Sequence, residues 1–158
     1  MGRWLAAMVL WPRQRRWQLA AVSPLEEAGW RGYVLPRLQT RLSPMRATLV
    51  LAALWAGWHA PLFFILASYA DFSPLILPGL FIGLTAGSLV LTSLYNGTGG
   101  SILVVAVWHA SHNLPAATTA TDGVIAAVAT TCVIVWAVCL VQRERAGRPA
   151  LGRSGMPA

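Results

Sequence analysis

The stretch RATLVLAALWAGWHAPLFFILAS, residues 46–68, carries no charge after Arg46. At ~1.5 Å of rise per residue it is long enough to cross a hydrocarbon layer ~30 Å thick, so it reads as a membrane-spanning helix. Three comparable runs follow at 75–95 (LILPGLFIGLTAGSLVLTSLY), 98–118 (TGGSILVVAVWHASHNLPAAT) and 123–141 (GVIAAVATTCVIVWAVCLV). Asp71 with Pro74, the turn-prone Asn96-Gly97 and Asp122-Gly123 separate them. Ahead of the first run, 24–42 (PLEEAGWRGYVLPRLQTRL) has the pattern of a shorter helix, with Pro24 in its first turn and Pro36 breaking or kinking it near its end. The expected fold is therefore all-α: a multipass transmembrane bundle of about four spanning helices plus one short helix.

Composition agrees with that class. The 158 residues are 56% hydrophobic and only 11% charged, against roughly 25% charged in ordinary soluble domains. All twelve basic residues are arginine and face five acids, a formal charge of +7. Such a balance raises a nucleic-acid hypothesis, but topology accounts for it more simply. Arg37, Arg41 and Arg46 precede the first span, and Arg143, Arg145, Arg148 and Arg153 follow the last. Four crossings return the chain to its starting side, so both groups belong to the cytoplasmic face, while the opposite loops hold Asp71 and Asp122. The expected location is the cytoplasmic membrane, with the lipid bilayer as a partner and no nucleic acid. Cys132 and Cys139 lie in one apolar run, which excludes a disulfide scaffold and a CxxC redox motif. Three parts follow: an interfacial segment over 1–22 rich in Trp and Arg, a core over 23–142 and a basic cytoplasmic tail over 143–158.

The informative residues are those a bilayer should exclude: Glu26, Glu27 and Arg31 in the short helix, His59 in the first span, and His109, His112 and Asn113 in the third. A charge at the centre of a bilayer costs roughly 2.5–3.5 kcal/mol on insertion scales. Glu27 and Arg31 stand four apart on one helix face and can pair; Glu26 has no sequence-local partner. Counted from the arginine-bearing boundary, Glu26, His59 and His109 lie at ~16, ~20 and ~16 Å. Asn113 follows His109 by one turn on the same face. A carboxylate, two imidazoles and an amide thus converge in one polar cavity on this reading. His112 lies off that face and suits a hydrogen bond between helices. Glu27 and Arg31 suit charge balance and shaping of the site, and Trp55 and Trp58 suit packing or cavity lining beside His59.

These motifs resemble the CAAX protease and bacteriocin-processing (CPBP, or Abi) family of intramembrane proteases. Glu26-Glu27-Ala28-Gly29-Trp30-Arg31 matches EExxxR; Trp55 to His59 in LWAGWHAPLFF matches an aromatic followed four residues later by histidine; His109 and Asn113 in VWHASHN match HxxxN. LTSLYNGTGGSI also has the look of bacterial members, and the resemblance runs from about Ser23 to the end of the fourth span. It implies an endopeptidase related to the type II CAAX prenyl proteases, acting on a membrane-associated peptide or protein. It further implies that Glu26 is the general base, that His59 helps hold and activate the attacking water, and that His109 and Asn113 stabilise the oxyanion. Family members are described both as metalloproteases and as glutamate enzymes, so no cofactor is firmly implied; if zinc is bound, Glu26, His59 and His109 are its candidate ligands. The chain begins close before Glu26, where members carry further helices, and the resemblance leaves three readings of this: a truncated frame, a late start or a reduced core. The alternatives are a non-catalytic membrane protein that binds a bacteriocin-like peptide for immunity and, lacking the internal repeat it would need, a small transporter with a proton relay.

Overall fold

The computed structural model describes residues 25–61, 76–117 and 124–152, and every regular element among them is a helix. The interfacial segment 1–22, the last seven residues of the 46–68 run and both acidic loops lie outside these residues.

The first helix, α1 (25–39), is continuous through Pro36. Its irregularity comes before the proline, as a π-helical turn over Trp30–Val34 in which the Leu35 N–H reaches back to the Trp30 carbonyl. Inside a regular α-helix a proline ring strikes the carbonyl four residues back and leaves it without its N–H partner. The widened turn shifts that carbonyl, and Pro36 falls in the first turn of the α-helical segment Leu35–Gln39, where its missing N–H is tolerated. The expected break is thus absorbed as a bulge. The chain then turns into α2 (Pro44–His59), capped by Ser43, whose side chain accepts from the Arg46 N–H. Its buried residues Ala47, Leu51 and Trp55 fall at four-residue intervals, with Thr48 and Ala52 beside them, and form one inward stripe.

Next come α3 (Ile76–Gly97), α4 (Ile102–Ala117) and α5 (Val124–Arg145). The α3–α4 connection uses Gly99 and Gly100, both with positive φ, and the Gly100 N–H closes onto the Tyr95 carbonyl. Helix α3 is central. One core cluster joins its Leu91 and Tyr95 to Leu35, Leu51, Trp55 and Val105, and the other joins its Ala86, Leu89 and Val90 to Val133, Ala137 and Leu140. Leu94 and Trp108 touch both clusters and bind them into one interior.

Residues Leu77–Gly97 and Val124–Arg145 are long and apolar enough to cross a membrane. Val124–Arg145 is mostly exposed, unlike the core helix of a soluble domain. Exposed Val124, Ile125, Val128, Val135 and Val138 give it the outward apolar surface that lipid favours. As described, α2 and α4 have 16 residues each, about 24 Å of helix. Two of the four expected spans therefore reach full length among the described residues.

The C-terminal segment folds back onto the bundle. Glu144 accepts the N–H groups of Ala150 and Leu151 at 2.7 Å each, Ser93 donates to the Ala150 carbonyl, and Asn96 donates to that of Leu151. Leu151 is fully buried, and Met45 packs against the same cluster. The start of α2 and the ends of α3 and α5 therefore lie at one end of the bundle, and Arg46, Arg143, Arg145 and Arg148 are exposed there.

Candidate functional site

A lone carboxylate is costly among apolar helices, and Glu27 is completely buried. Two donors compensate for it. Glu27 Oε1 accepts from Arg31 Nη1 at 3.0 Å and from His109 Nδ1 at 2.7 Å. The first contact is local to α1, four residues apart as the sequence spacing implies, whereas the second crosses to α4 over 82 residues of chain. Arg31, also fully buried, extends the network, because Nη2 donates to Ser88 Oγ on α3 at 3.3 Å and the guanidinium lies 5.0 Å from the centre of the Trp55 ring. Helices α1, α2, α3 and α4 each contribute one or more of these groups.

Trp55 links the cluster to the second histidine. Its ring meets His59 and His109 edge-on, both at 5.5 Å between centroids. His59 Nδ1 lies 2.8 Å from the Trp55 carbonyl, which can only accept, so this nitrogen carries the hydrogen. Measured along the helices, Ser88, Trp55 and His109 sit about 10–17 Å from the arginine-bearing end. The polar groups therefore occupy the middle of the bundle.

Helix α1 passes near the start of α4 at Gly32, where a Cβ would stand 2.8 Å from Ile102 Cδ1 and that side-chain end would have to turn aside.

Of the residues singled out in the sequence, Glu27, Arg31 and His109 are directly bonded, and His59 adjoins them through Trp55. Glu26 is half-buried at the neighbouring position on α1, and the carboxylate that bonds His109 is that of Glu27. Asn113 is half-buried one turn beyond His109 and has a polar or ring contact of its own. His112 stacks on Trp108 within α4, with centroids 5.4 Å apart and planes 14° from parallel. Ser88 escaped the sequence reading. Its signal was present, since Ser88 and Thr92 form a pair of polar residues one turn apart in an apolar helix.

Among the described residues no three His, Cys, Asp or Glu side chains gather as a ligand group, and His109 Nδ1 and Glu27 Oε1 are used on each other.

Comparisons with known proteins locate this arrangement. The chain is 32% identical over 100 residues to a protein of Methanococcus maripaludis named CAAX prenyl protease 2, a match covering 61% of this chain and 37% of that relative. The chain thus spans well under half the length of the curated relative it matches. No solved structure matches it. The family model described as Type II CAAX prenyl endopeptidase Rce1-like matches residues 5–115, a range that begins before the motif helix and ends inside α4, taking in the EExxxR, Trp55–His59 and HxxxN residues. With most of its length matched, this chain belongs to the Type II CAAX prenyl endopeptidase Rce1-like family.

Proposed function

We propose that the protein is an intramembrane endopeptidase of the cytoplasmic membrane that hydrolyses a peptide bond in a membrane-associated peptide or protein. The observation that carries this reading is the contact between EExxxR and HxxxN, at 2.7 Å between Glu27 and His109, inside a family of prenyl endopeptidases. Amide hydrolysis needs a base for water and donors for the charge that develops on the carbonyl oxygen. Glu26, half-buried and without the buried ion pair that occupies Glu27, takes the base role. His59 holds the water, and His109 with Asn113 faces the oxyanion. Glu27 and Arg31 support them from beneath. The arginines at one end of the bundle mark the cytoplasmic side.

The experiment is cleavage of a panel of lipidated and unlipidated reporter peptides by the full chain in lipid nanodiscs, with and without a chelator. Glu26→Gln and His59→Ala each lower turnover by on the order of 10²–10⁴. Turnover untouched by both substitutions rejects the mechanism. Stoichiometric zinc whose removal abolishes cleavage replaces the glutamate-type scheme with a metal-assisted one.

A further inference from the structure

An imidazole has two nitrogens, and the partner of one decides what the other can do. Glu27 is a strict test of this rule. Its Oε1 lies 3.0 Å from a guanidinium nitrogen that can only donate, so the Oε1 on which both contacts converge acts as an acceptor. The same atom lies 2.7 Å from His109 Nδ1, so that nitrogen is the one that carries hydrogen. The carboxylate is itself held in place. Arg31 is bound to Ser88 on α3 and lies over the Trp55 ring on α2, and neither Glu27 nor Arg31 has any exposed surface through which to relax.

Building on the function above, we propose that Glu27 is the positioning residue of His109: it fixes the Nδ1–H tautomer, so that Nε2 alone is offered to the reacting groups. Such a ring offers a lone pair at Nε2 when neutral; with a second proton bound there, balanced by the Glu27 carboxylate, it offers the N–H donor that facing the oxyanion requires. The Trp55 carbonyl imposes the same tautomer on His59. The two histidines of the site therefore present the same nitrogen, one fixed by a carboxylate from another helix and the other by the backbone of its own. A carboxylate that orients a histidine through Nδ1 is worth orders of magnitude in turnover in hydrolases where the pair has been cut. In this assignment the second glutamate of EExxxR acts through His109 and not on the substrate.

The test needs no substrate. The chain has three histidines, so selective ¹⁵N labelling of histidine gives three rings, assigned by His59→Asn and His112→Asn variants. In nanodiscs, wild-type His109 shows a hydrogen-bearing Nδ1 and, in the neutral ring, a bare Nε2. Glu27→Gln/Arg31→Met keeps this pattern, because the amide oxygen can occupy the Oε1 position and no buried charge is stranded. Glu27→Ala/Arg31→Met, which removes acceptor and cation together, releases the ring and brings hydrogen to Nε2. Turnover of the reporter peptide falls by on the order of 10²–10⁴ in Glu27→Ala/Arg31→Met with little change in KM, and Glu27→Gln/Arg31→Met restores part of it. Hydrogen at Nε2 of neutral His109 in the wild type, or a pattern unchanged in Glu27→Ala/Arg31→Met, overturns the assignment. A chain with the expected tautomer but no cleavage of any reporter counts against the endopeptidase reading and leaves the positioning role standing.

Discussion

Replacing Arg31 by methionine preserves most of the aliphatic stem and deletes the guanidinium, which isolates three effects. Glu27 loses one of the two donors on Oε1 while remaining fully buried. Ser88 loses its charged donor, and Trp55 loses the cation over its ring. Breaking a buried ion pair by removing one partner costs about 3–5 kcal/mol, chiefly through the charge left behind. The Ser88 contact adds about 1 kcal/mol, moderated by its 3.3 Å length. Arg31→Met alone should therefore destabilise by about 4–6 kcal/mol, and Glu27→Gln alone by about 3–5 kcal/mol, since it strands the guanidinium instead. The double variant Glu27→Gln/Arg31→Met leaves no charge uncompensated and should be destabilised by at least ~3 kcal/mol less than the sum of the singles. Unfolding of all four proteins in mixed micelles by rising SDS gives the cycle directly. Single effects below ~1 kcal/mol, or effects that simply add, would refute the picture of a buried, mutually dependent pair.

Two further expectations concern the frame around the site. Leu151→Ala removes a fully buried side chain that holds the returning C-terminal segment against α3 and α5, and should cost about 2–4 kcal/mol in the same unfolding assay. A loss within ~0.5 kcal/mol of zero would mean that the segment does not contribute to the fold. Gly99→Ala meets no steric obstacle but must adopt φ of 67°, so it should cost about 1–2 kcal/mol through backbone strain alone. An unchanged midpoint would place the turn in another conformation.

Much of the architecture was legible along the chain because it rests on near neighbours. Apolar runs mark helices wherever they pack, and arginine placement marks one end of the bundle. Glu27 and Arg31 pair because one helical turn separates them. The π turn before Pro36 could not be read in this way, since a proline specifies that a helix must be disturbed but not where the disturbance will settle. The same holds for 143–158, which reads as a basic tail: Leu151, among polar and small residues, gives no periodic signal, and it is buried where Asn96 and Glu144 bond its own backbone and Ser93 that of Ala150.

The two adjacent glutamates mark the boundary most clearly. The sequence by itself determined that two carboxylates enter an apolar helix near two histidines, and that one has a local arginine to pair with. Successive residues point about 100° apart around an α-helix, so Glu26 and Glu27 cannot both turn to the same neighbour. Which of them meets His109 depends on how α1 is rotated and how closely it approaches α4. That was decided only in the tertiary structure, where the bulge at Trp30–Val34 interrupts the regular turn of α1 and Ser88 and Trp55 hold Arg31.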